Sequence, residues 1–213
     1  MNETWYKIHE IYSCIQGEGC NTGIPMILIR FWGCNLSCPW CDTQQPKSPV
    51  FILSSEMILK KIKTIKQHGN KGIKWVLLTG GEPTVQNLSI LTSFLKKNGF
   101  KIAIETNGTG EGWKGGIFNW ITISPKLDNE HHTIQNKLLQ KCDELKFVIS
   151  NEGDIKKIER FLLSHIKHLT KKAPTVCLQP MSTMESAIDL CITKAKEEGW
   201  RLSLQTQKMI NQP

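Results

Sequence analysis

Three thiols crowd one short stretch, Gly33-Cys34-Asn35-Leu36-Ser37-Cys38-Pro39-Trp40-Cys41-Asp42-Thr43, shortly after the apolar run Met26-Ile27-Leu28-Ile29-Arg30-Phe31. Cys34, Cys38 and Cys41 are separated by three and two residues, so a single loop can present all three sulfurs to a metal cluster. Closed structural zinc sites take four protein ligands, as do iron–sulfur clusters held wholly by cysteine. A trio without an obvious fourth partner leaves one coordination position open, and an open position is where chemistry happens. Two other readings stand beside this one. Cys14 or Cys20 could complete a structural zinc knuckle with the trio, although zinc modules usually pair two short Cys-x-x-Cys hooks and only one is present. A disulfide framework is weaker still: eight cysteines in 213 residues are too sparse for a stapled secreted scaffold, and no charged start with an apolar stretch precedes Trp5. The thiols therefore point to a reducing, cytoplasmic compartment. Cys142, Cys177 and Cys191 lie in apolar or helical surroundings and read as small core residues.

The elements that must position this loop follow from hydrophobic patterning. Short apolar runs alternate with longer amphipathic segments, the pattern of βα units around a parallel sheet. Strands are expected at Met26–Phe31, Trp75–Leu78, Lys101–Glu105, Trp120–Ser124, Leu145–Ile149 and Thr175–Gln179, with a further one at Arg201–Leu204. Ser54-Ser55-Glu56 offers an N-cap for a helix carrying Ile58, Ile62 and Ile65 on one face. A second helix carries Leu88, Leu91, Phe94 and Leu95 and stops at Asn98-Gly99; a third presents Ile155, Ile158, Phe161 and Leu162. The last runs through Ile188, Ile192 and Ala195 to Gly199, a left-handed position that glycine fills without strain. About six such units are too few for a closed eight-stranded barrel, so the expected fold class is α/β, a partial, open βα barrel of about six parallel strands. In such folds functional groups gather on the loops leaving the C-terminal ends of strands. The conspicuous polar segments fall there: the three-cysteine loop, Thr79-Gly80-Gly81-Glu82-Pro83, Glu105-Thr106-Asn107-Gly108-Thr109, Ser124-Pro125-Lys126 and Gln179-Pro180-Met181-Ser182. Each alone could be turn chemistry, but their joint placement after successive strands predicts one functional rim.

Composition narrows the class further. With 39% hydrophobic residues in 213, the chain can bury one sizeable core, and a single domain over 1–213 is expected. No stretch approaches the ~20 apolar residues needed to cross a bilayer, so no membrane partner is expected. A formal charge of +8 raises the question of nucleic acid. The lysines are scattered over expected helices, at Lys60, Lys61, Lys63 and Lys66, at Lys156 and Lys157, and at Lys194 and Lys196. With little aromatic interleaving they read as solvated helix faces, so nucleic acid is not an expected partner. The densest basic group, Lys167, Lys171 and Lys172, precedes a strand and reads as a loop.

The three-cysteine loop matches in spacing the loop of radical S-adenosylmethionine (SAM) enzymes, and Gly80-Gly81-Glu82-Pro83 resembles their companion motif that hydrogen-bonds the SAM amino group. Physically, glycines let backbone approach a ligand closely, and a carboxylate or carbonyl must face the cationic amine. The subfamily is suggested by the ends of the chain. Ile11-Tyr12-Ser13-Cys14-Ile15-Gln16-Gly17-Glu18-Gly19, Gly23-Ile24-Pro25, Ile29-Arg30-Phe31, Cys41-Asp42-Thr43, Glu144-Leu145-Lys146-Phe147, Leu178-Gln179-Pro180 and Leu202-Ser203-Leu204-Gln205-Thr206 resemble the 7-carboxy-7-deazaguanine synthase family. The likeness spans nearly the whole chain.

That resemblance implies a lyase of queuosine biosynthesis that contracts 6-carboxy-5,6,7,8-tetrahydropterin to 7-carboxy-7-deazaguanine with loss of ammonia. The reduced [4Fe-4S] cluster would cleave SAM to a radical that takes hydrogen from substrate C6 and later returns it, so SAM is used catalytically and no protein residue is implied as catalyst. Carried over position by position, Cys34, Cys38 and Cys41 bind the cluster and Thr43 binds Mg2+ together with the substrate carboxylate, which suits a hard cation. Trp40, Cys41, Asp42, Gly81, Ser124, Pro125, Lys126, Gln179, Pro180, Met181 and Ser182 would form the SAM site, and Ile15, Gln16, Gly17, Arg30, Thr79 and Pro213 would meet the substrate. The partners implied are the pterin, an external electron donor of flavodoxin or ferredoxin type, and a second copy of the chain in a homodimer.

Arg30 can be argued without the resemblance: a guanidinium at the C-terminal end of a buried strand suits a carboxylate through its planar fork. Its alternative is an ion pair with Glu18 or Glu105, and Glu18 could instead only cap the adjacent Gly-rich loop. Pro213 is implied because family members ending in proline here direct a terminal carboxylate at the pterin's amino edge. One departure lies nearby: the family tail reads Gln-Thr-His-Lys, whereas this chain has Gln205-Thr206-Gln207-Lys208, and glutamine cannot titrate. Two rivals remain. An activase that installs a glycyl radical on a partner protein would consume SAM, and a zinc-binding RNA module would account for charge and thiols but not for Gly-Gly-Glu-Pro.

Overall fold

A computed structural model of the chain describes residues 4–39, 41, 43, 47–128, 133–169, 172–181 and 184–211. Two compact units divide these residues: the first holds the residues up to Cys14, Pro25–Thr106 and Gly110–Trp120, the second Ile15–Ile24, Asn107–Thr109 and the residues from Ile121 onward. The architecture is α/β with a mostly parallel, open sheet.

In the first unit the strands are β1 (Trp5–Ile15), β2 (Pro25–Phe31), β3 (Phe51–Ser54), β4 (Trp75–Gly80) and β5 (Lys101–Thr106), in the order β3-β1-β2-β4-β5. β2, β4 and β5 run parallel, with Arg30 level with Thr79 and Trp75 level with Lys101. Met26, Ile27, Leu28 and Ile29 are consecutive and all buried, which is the mark of a parallel strand covered on both faces rather than of a half-wet one. Helix α1 (Ser55–Gln67) starts where Ser54 Oγ accepts the Met57 amide at 3.4 Å, and it buries Ile58, Leu59 and Ile62. Helix α2 (Ser89–Lys97) buries Leu91 and Leu95 and stops at Asn98. Tyr6 is fully buried, edge-on to Phe31 at 6.3 Å, and its hydroxyl accepts the Leu91 amide at 3.1 Å, so the first turn of α2 is pinned to β1.

In the second unit β6 (Trp120–Ile123), β7 (Glu144–Ile149), β8 (Thr175–Pro180) and β9 (Arg201–Leu202) follow one another in parallel register. Helix α3 (Asn136–Leu139) is a single turn, and α4 (Glu152–Leu169) buries Ile155, Ile158 and Phe161, with Phe161 edge-on to Phe147 at 5.8 Å. Helix α5 (Glu185–Glu198) ends at Gly199 with φ of 67°, as its sequence predicts. It buries Ala187 and Cys191 while Ile188 stays exposed, so small residues rather than the isoleucines make its close contact. Helix α6 (Thr206–Met209) carries the tail.

All seven expected strands are present, within a few residues of their expected bounds. Two further strands were not expected. β1 mixes Lys7, His9 and Glu10 among its apolar residues, and β3 is four residues long and pairs antiparallel with β1 through Tyr6 and Leu53, a contact no local pattern announces. Among the described residues, no helix is long and apolar enough to cross a membrane.

Leu91→Ala removes a fully buried side chain beneath the α2 start and should destabilise the protein by ~2–5 kcal/mol. Leu163→Ala, on the exposed side of α4, should change stability by less than about 0.5 kcal/mol in the same urea titration.

Candidate active site

In the first unit the three-cysteine loop leaves the C-terminal end of β2, and Gly-Gly-Glu-Pro leaves the end of its parallel neighbour β4. The two loops are joined through their backbones: the Gly81 amide donates to Phe31 O at 3.1 Å and the Glu82 amide to Gly33 O at 2.8 Å. Such closeness requires glycine at position 80, where φ is 126° and a Cβ would lie 2.5 Å from the Phe31 backbone. Glu82 is buried, and its Oε1 accepts from Thr84 N at 2.9 Å, Thr84 Oγ1 at 2.6 Å and Thr106 Oγ1 at 2.6 Å. That oxygen therefore holds the loop's shape.

The cysteine loop is compact. The Cys41 amide donates to Cys38 O at 3.2 Å, the Leu36 amide donates to Cys34 Sγ at 3.4 Å, and the Cys41 thiol points at Thr43 O at 3.6 Å. Cys34 and Cys41 are exposed and Cys38 is half-buried, so iron and sulfide can reach all three sulfurs. Desolvation raises the Cys34 pKa, and Glu82, Cys38 and Cys41 raise it further, which places the three thiols within electrostatic reach of one another. The donor set fits a cluster with three protein thiolates and one position left over. Cys14, the other upstream candidate, is instead buried, and desolvation, with help from Glu105, pushes its pKa up to about 11. Trp40, Asp42, Ser182 and Pro213 lie outside the described residues.

Arg30 sits at the end of β2 level with Thr79. Its Nε donates to Glu10 Oε1 at 2.5 Å and its Nη2 to the Tyr12 hydroxyl at 3.2 Å, so the ion pair weighed as the alternative role is made with Glu10 of β1 and not with Glu18 or Glu105. Burial would lower the Arg30 pKa, but Glu10 and Tyr12 outweigh it and raise the value. Nη1 has no partner among the described residues. Glu10 and Tyr12 were missed because β1 was missed; their i, i+2 spacing, which puts both side chains on one strand face, is the signal that points to them.

In the second unit Gln16 is buried and its Oε1 accepts the amides of Gly17 at 2.8 Å and Glu18 at 3.3 Å, while Ile15 is exposed. Gly17 is held against the tail: the Thr206 amide donates to Gly17 O at 3.0 Å, and a Cβ on Gly17 would lie 1.8 Å from Gln207 Oε1. Glu18 does more than cap its loop. Its carboxylate accepts Lys146 Nζ at 2.6 Å, Gln205 Nε2 at 2.8 Å and Gln207 Nε2 at 2.9 Å. Burial by itself raises the Glu18 pKa, yet Lys146 and the two amides reverse this and hold it well below the ordinary carboxylate value. Gln207, the departure noted in the tail, thus acts as a neutral donor. Ser124 and Lys126 follow β6 and bond each other at 2.7 Å, with Pro125 buried between them. Gln179 and Pro180 end β8, with Gln179 Oε1 accepting from Ser203 Oγ at 3.1 Å, and the Met181 amide donates to Ile149 O at 2.8 Å. The basic group before β8 is partly neutralised, since Lys172 pairs with Asp143.

Because the native Glu18 pKa is depressed, the carboxylate's contribution is fully present above the ordinary value of 4.5 and is lost as pH falls from there through the native value. Unfolding midpoints measured from pH 7 down to 2 should therefore drop in that window, and Glu18→Gln should flatten the drop. Lys146→Met leaves Glu18 buried without its cation and should cost ~3–5 kcal/mol near neutral pH.

Comparison with known proteins adds the family. A model described as the radical SAM superfamily matches residues 28–145. The chain is 35% identical, over 97% of its own length and 98% of the relative's, to 7-carboxy-7-deazaguanine synthase of Escherichia coli (strain K12). It is 35% identical to the 7-carboxy-7-deazaguanine synthase of Aquifex aeolicus (strain VF5), over 92% of this chain and 86% of that one. The crystal structure of QueE from Escherichia coli matches with a TM-score of 0.79 and 32% identity, covering 94% of each chain, and bears out the radical SAM type of α/β fold. With three accessible thiols on the loop after β2 and Gly-Gly-Glu-Pro bonded beside them, the chain belongs to the radical SAM superfamily and, within it, to the 7-carboxy-7-deazaguanine synthases, lyases that work on a small molecule with a [4Fe-4S] cluster, SAM and a reductant.

Proposed function

We propose that this chain, acting as one radical SAM domain over 1–213, converts 6-carboxy-5,6,7,8-tetrahydropterin to 7-carboxy-7-deazaguanine with loss of ammonia. When bound, the cluster and SAM would supply the one-electron chemistry that takes a hydrogen atom from substrate C6 and returns it, so that SAM is regenerated. Cys34, Cys38 and Cys41 hold the iron; residues 40–42, Gly81, 124–126 and 179–182 hold SAM. The substrate contacts are Ile15, Gln16, Gly17, Arg30, Thr79 and Pro213. Thr43 offers one hard oxygen to Mg2+, with water and the substrate carboxylate completing the shell.

The observation that carries this reading is Arg30. A guanidinium fixed by Glu10 and Tyr12 cannot swing away, and Nη1 is left to meet a carboxylate at the strand end. A substrate that keeps its carboxylate throughout the reaction suits such a fixed cation. The amide of Gln16, whose oxygen is already committed to its own turn, suits the polar edge of a pterin. We also place the enzyme in the cytoplasm, served by a flavodoxin- or ferredoxin-type donor, as a homodimer; exposed Val50 and Ile52, on and beside edge strand β3, offer apolar surface to a second copy.

An anaerobic assay with reconstituted protein, SAM, dithionite, Mg2+ and the carboxy-tetrahydropterin should give deazaguanine product in large excess over 5′-deoxyadenosine. Stoichiometric 5′-deoxyadenosine would reject catalytic use of SAM and favour an activase. Replacing Cys34, Cys38 or Cys41 by Ala should abolish both the iron–sulfur absorbance and SAM cleavage. Arg30→Lys keeps the charge but loses the fork. It should leave cluster absorbance intact and raise KM ten- to a hundredfold, the equivalent of ~1.5–3 kcal/mol for charge-assisted bonds. An unchanged KM would remove Arg30 from the substrate site.

A further inference from the structure

Cys20, Glu144 and Cys177 take no part in the site described above, yet the second unit gathers them. Their ligand atoms all lie within 4.8 Å of one another. The sulfurs of Cys20 and Cys177 are 3.7 Å apart. Two sulfurs bound at ~2.3 Å to one tetrahedral ion lie about 3.8 Å apart, so this spacing already suits a shared cation. Cys177 and Glu144 are buried and Cys20 is half-buried, which leaves an approach from solvent on the Cys20 side.

Glu144 supplies the second and independent observation. Its Oε2 accepts the Cys20 amide at 3.0 Å, but its Oε1 is buried and has no hydrogen-bond partner among the described residues. A buried carboxylate oxygen without a donor is costly, and a cation beside the two sulfurs would satisfy it. Charge also balances. Two thiolates and a carboxylate carry three negative charges, while the Arg201 guanidinium, within electrostatic reach of Cys20, Cys177 and Glu144, supplies one positive charge. A divalent ion supplies the other two.

Position in the fold says what such an ion would do. Glu144 begins β7, Cys177 is level with Lys146 of β7 and Arg201 of β9, and Cys20 belongs to the turn Gly19–Asn21. Gln179 and Pro180, by contrast, are at the C-terminal end of β8. An ion held here would tie the turn that follows Gln16-Gly17-Glu18 to the beginnings of two strands, at the stability end of a βα fold rather than the catalytic end.

We propose that Cys20, Glu144 and Cys177 form a structural metal site with a ligand set of its own, taking a thiophilic divalent cation of the Zn2+ class with solvent in the fourth position.

The test uses the full chain with Cys34→Ser, Cys38→Ser and Cys41→Ser combined, so that the cluster loop contributes no thiolate, titrated anaerobically with Co2+. Binding of one Co2+ per chain is expected, with thiolate-to-cobalt absorption and tetrahedral d–d bands that Zn2+ displaces. Adding Cys20→Ser, a half-exposed change that spares the core, should remove about half of the thiolate absorption. Adding Glu144→Gln should weaken Co2+ binding at least about tenfold with far-ultraviolet circular dichroism unchanged. Zn2+ should raise the thermal midpoint of the parent triple variant, and by a clearly smaller margin that of the Cys20→Ser version. Failure to bind Co2+ at micromolar concentration, a cobalt spectrum indifferent to Cys20→Ser, unweakened binding in Glu144→Gln, or a metal-free isolated chain carrying a Cys20–Cys177 disulfide would each overturn the proposal.

Discussion

At Gly80 the backbone of β4 comes so near β2 that no side chain fits between them, and the chemistry of the first unit rests on that approach. It lets Gly81 and Glu82 donate to Phe31 and Gly33, so the loop that follows β4 is bonded to the start of the loop that carries the thiols. Parallel pairing of β2 and β4 sets the register, Arg30 beside Thr79, and the same pairing sets where both loops begin. Glu82, buried and engaged by Thr84 and Thr106, keeps the second loop from relaxing away. A Cβ at position 80 would disturb the three-cysteine loop and the Gly-Gly-Glu-Pro loop together.

The second unit is organised by a buried charge. Glu18 and Lys146 are a partly desolvated pair, and the amides of Gln205 and Gln207 complete the carboxylate's hydrogen bonds. Such a pair adds little net stability compared with apolar packing, but it is costly to break, so it specifies where the tail must lie. Thr206 and Gln207 thereby come to rest on Gly17, next to the residues proposed to meet the substrate. With glutamine at position 207 the tail is held by a neutral donor, and its attachment does not depend on the ionisation of an imidazole.

The eight cysteines divide by environment. Cys34 and Cys41 are open to solvent on a loop, where iron can reach their sulfurs. Cys142 and Cys191 are buried, and desolvation pushes each pKa up to about 12, which makes them inert packing. Cys177 is also raised by burial and by the nearby Glu144, but it faces another sulfur and a carboxylate instead of a purely apolar wall.

Periodicity and spacing alone determined the expected parallel strands, the caps of α1 and α5 at Ser54 and Gly199, the loop of three thiols after β2 and the Gly-Gly-Glu-Pro loop after β4. These are legible because each depends on residues within a few positions of one another: an apolar run, a hydroxyl before a helix, three sulfurs on one loop. Only the tertiary structure decided that Arg30 leans on Glu10 and Tyr12, that Glu18 binds Lys146 across 128 positions, and that Cys20 meets Cys177. It also decided β3, whose four residues become a strand through pairing with β1. Charge pairs and edge strands join residues far apart in the chain, and many acidic side chains could have answered Arg30 or Lys146. The choice among them is made by which strands lie side by side, a property of the packed chain and not of any local stretch.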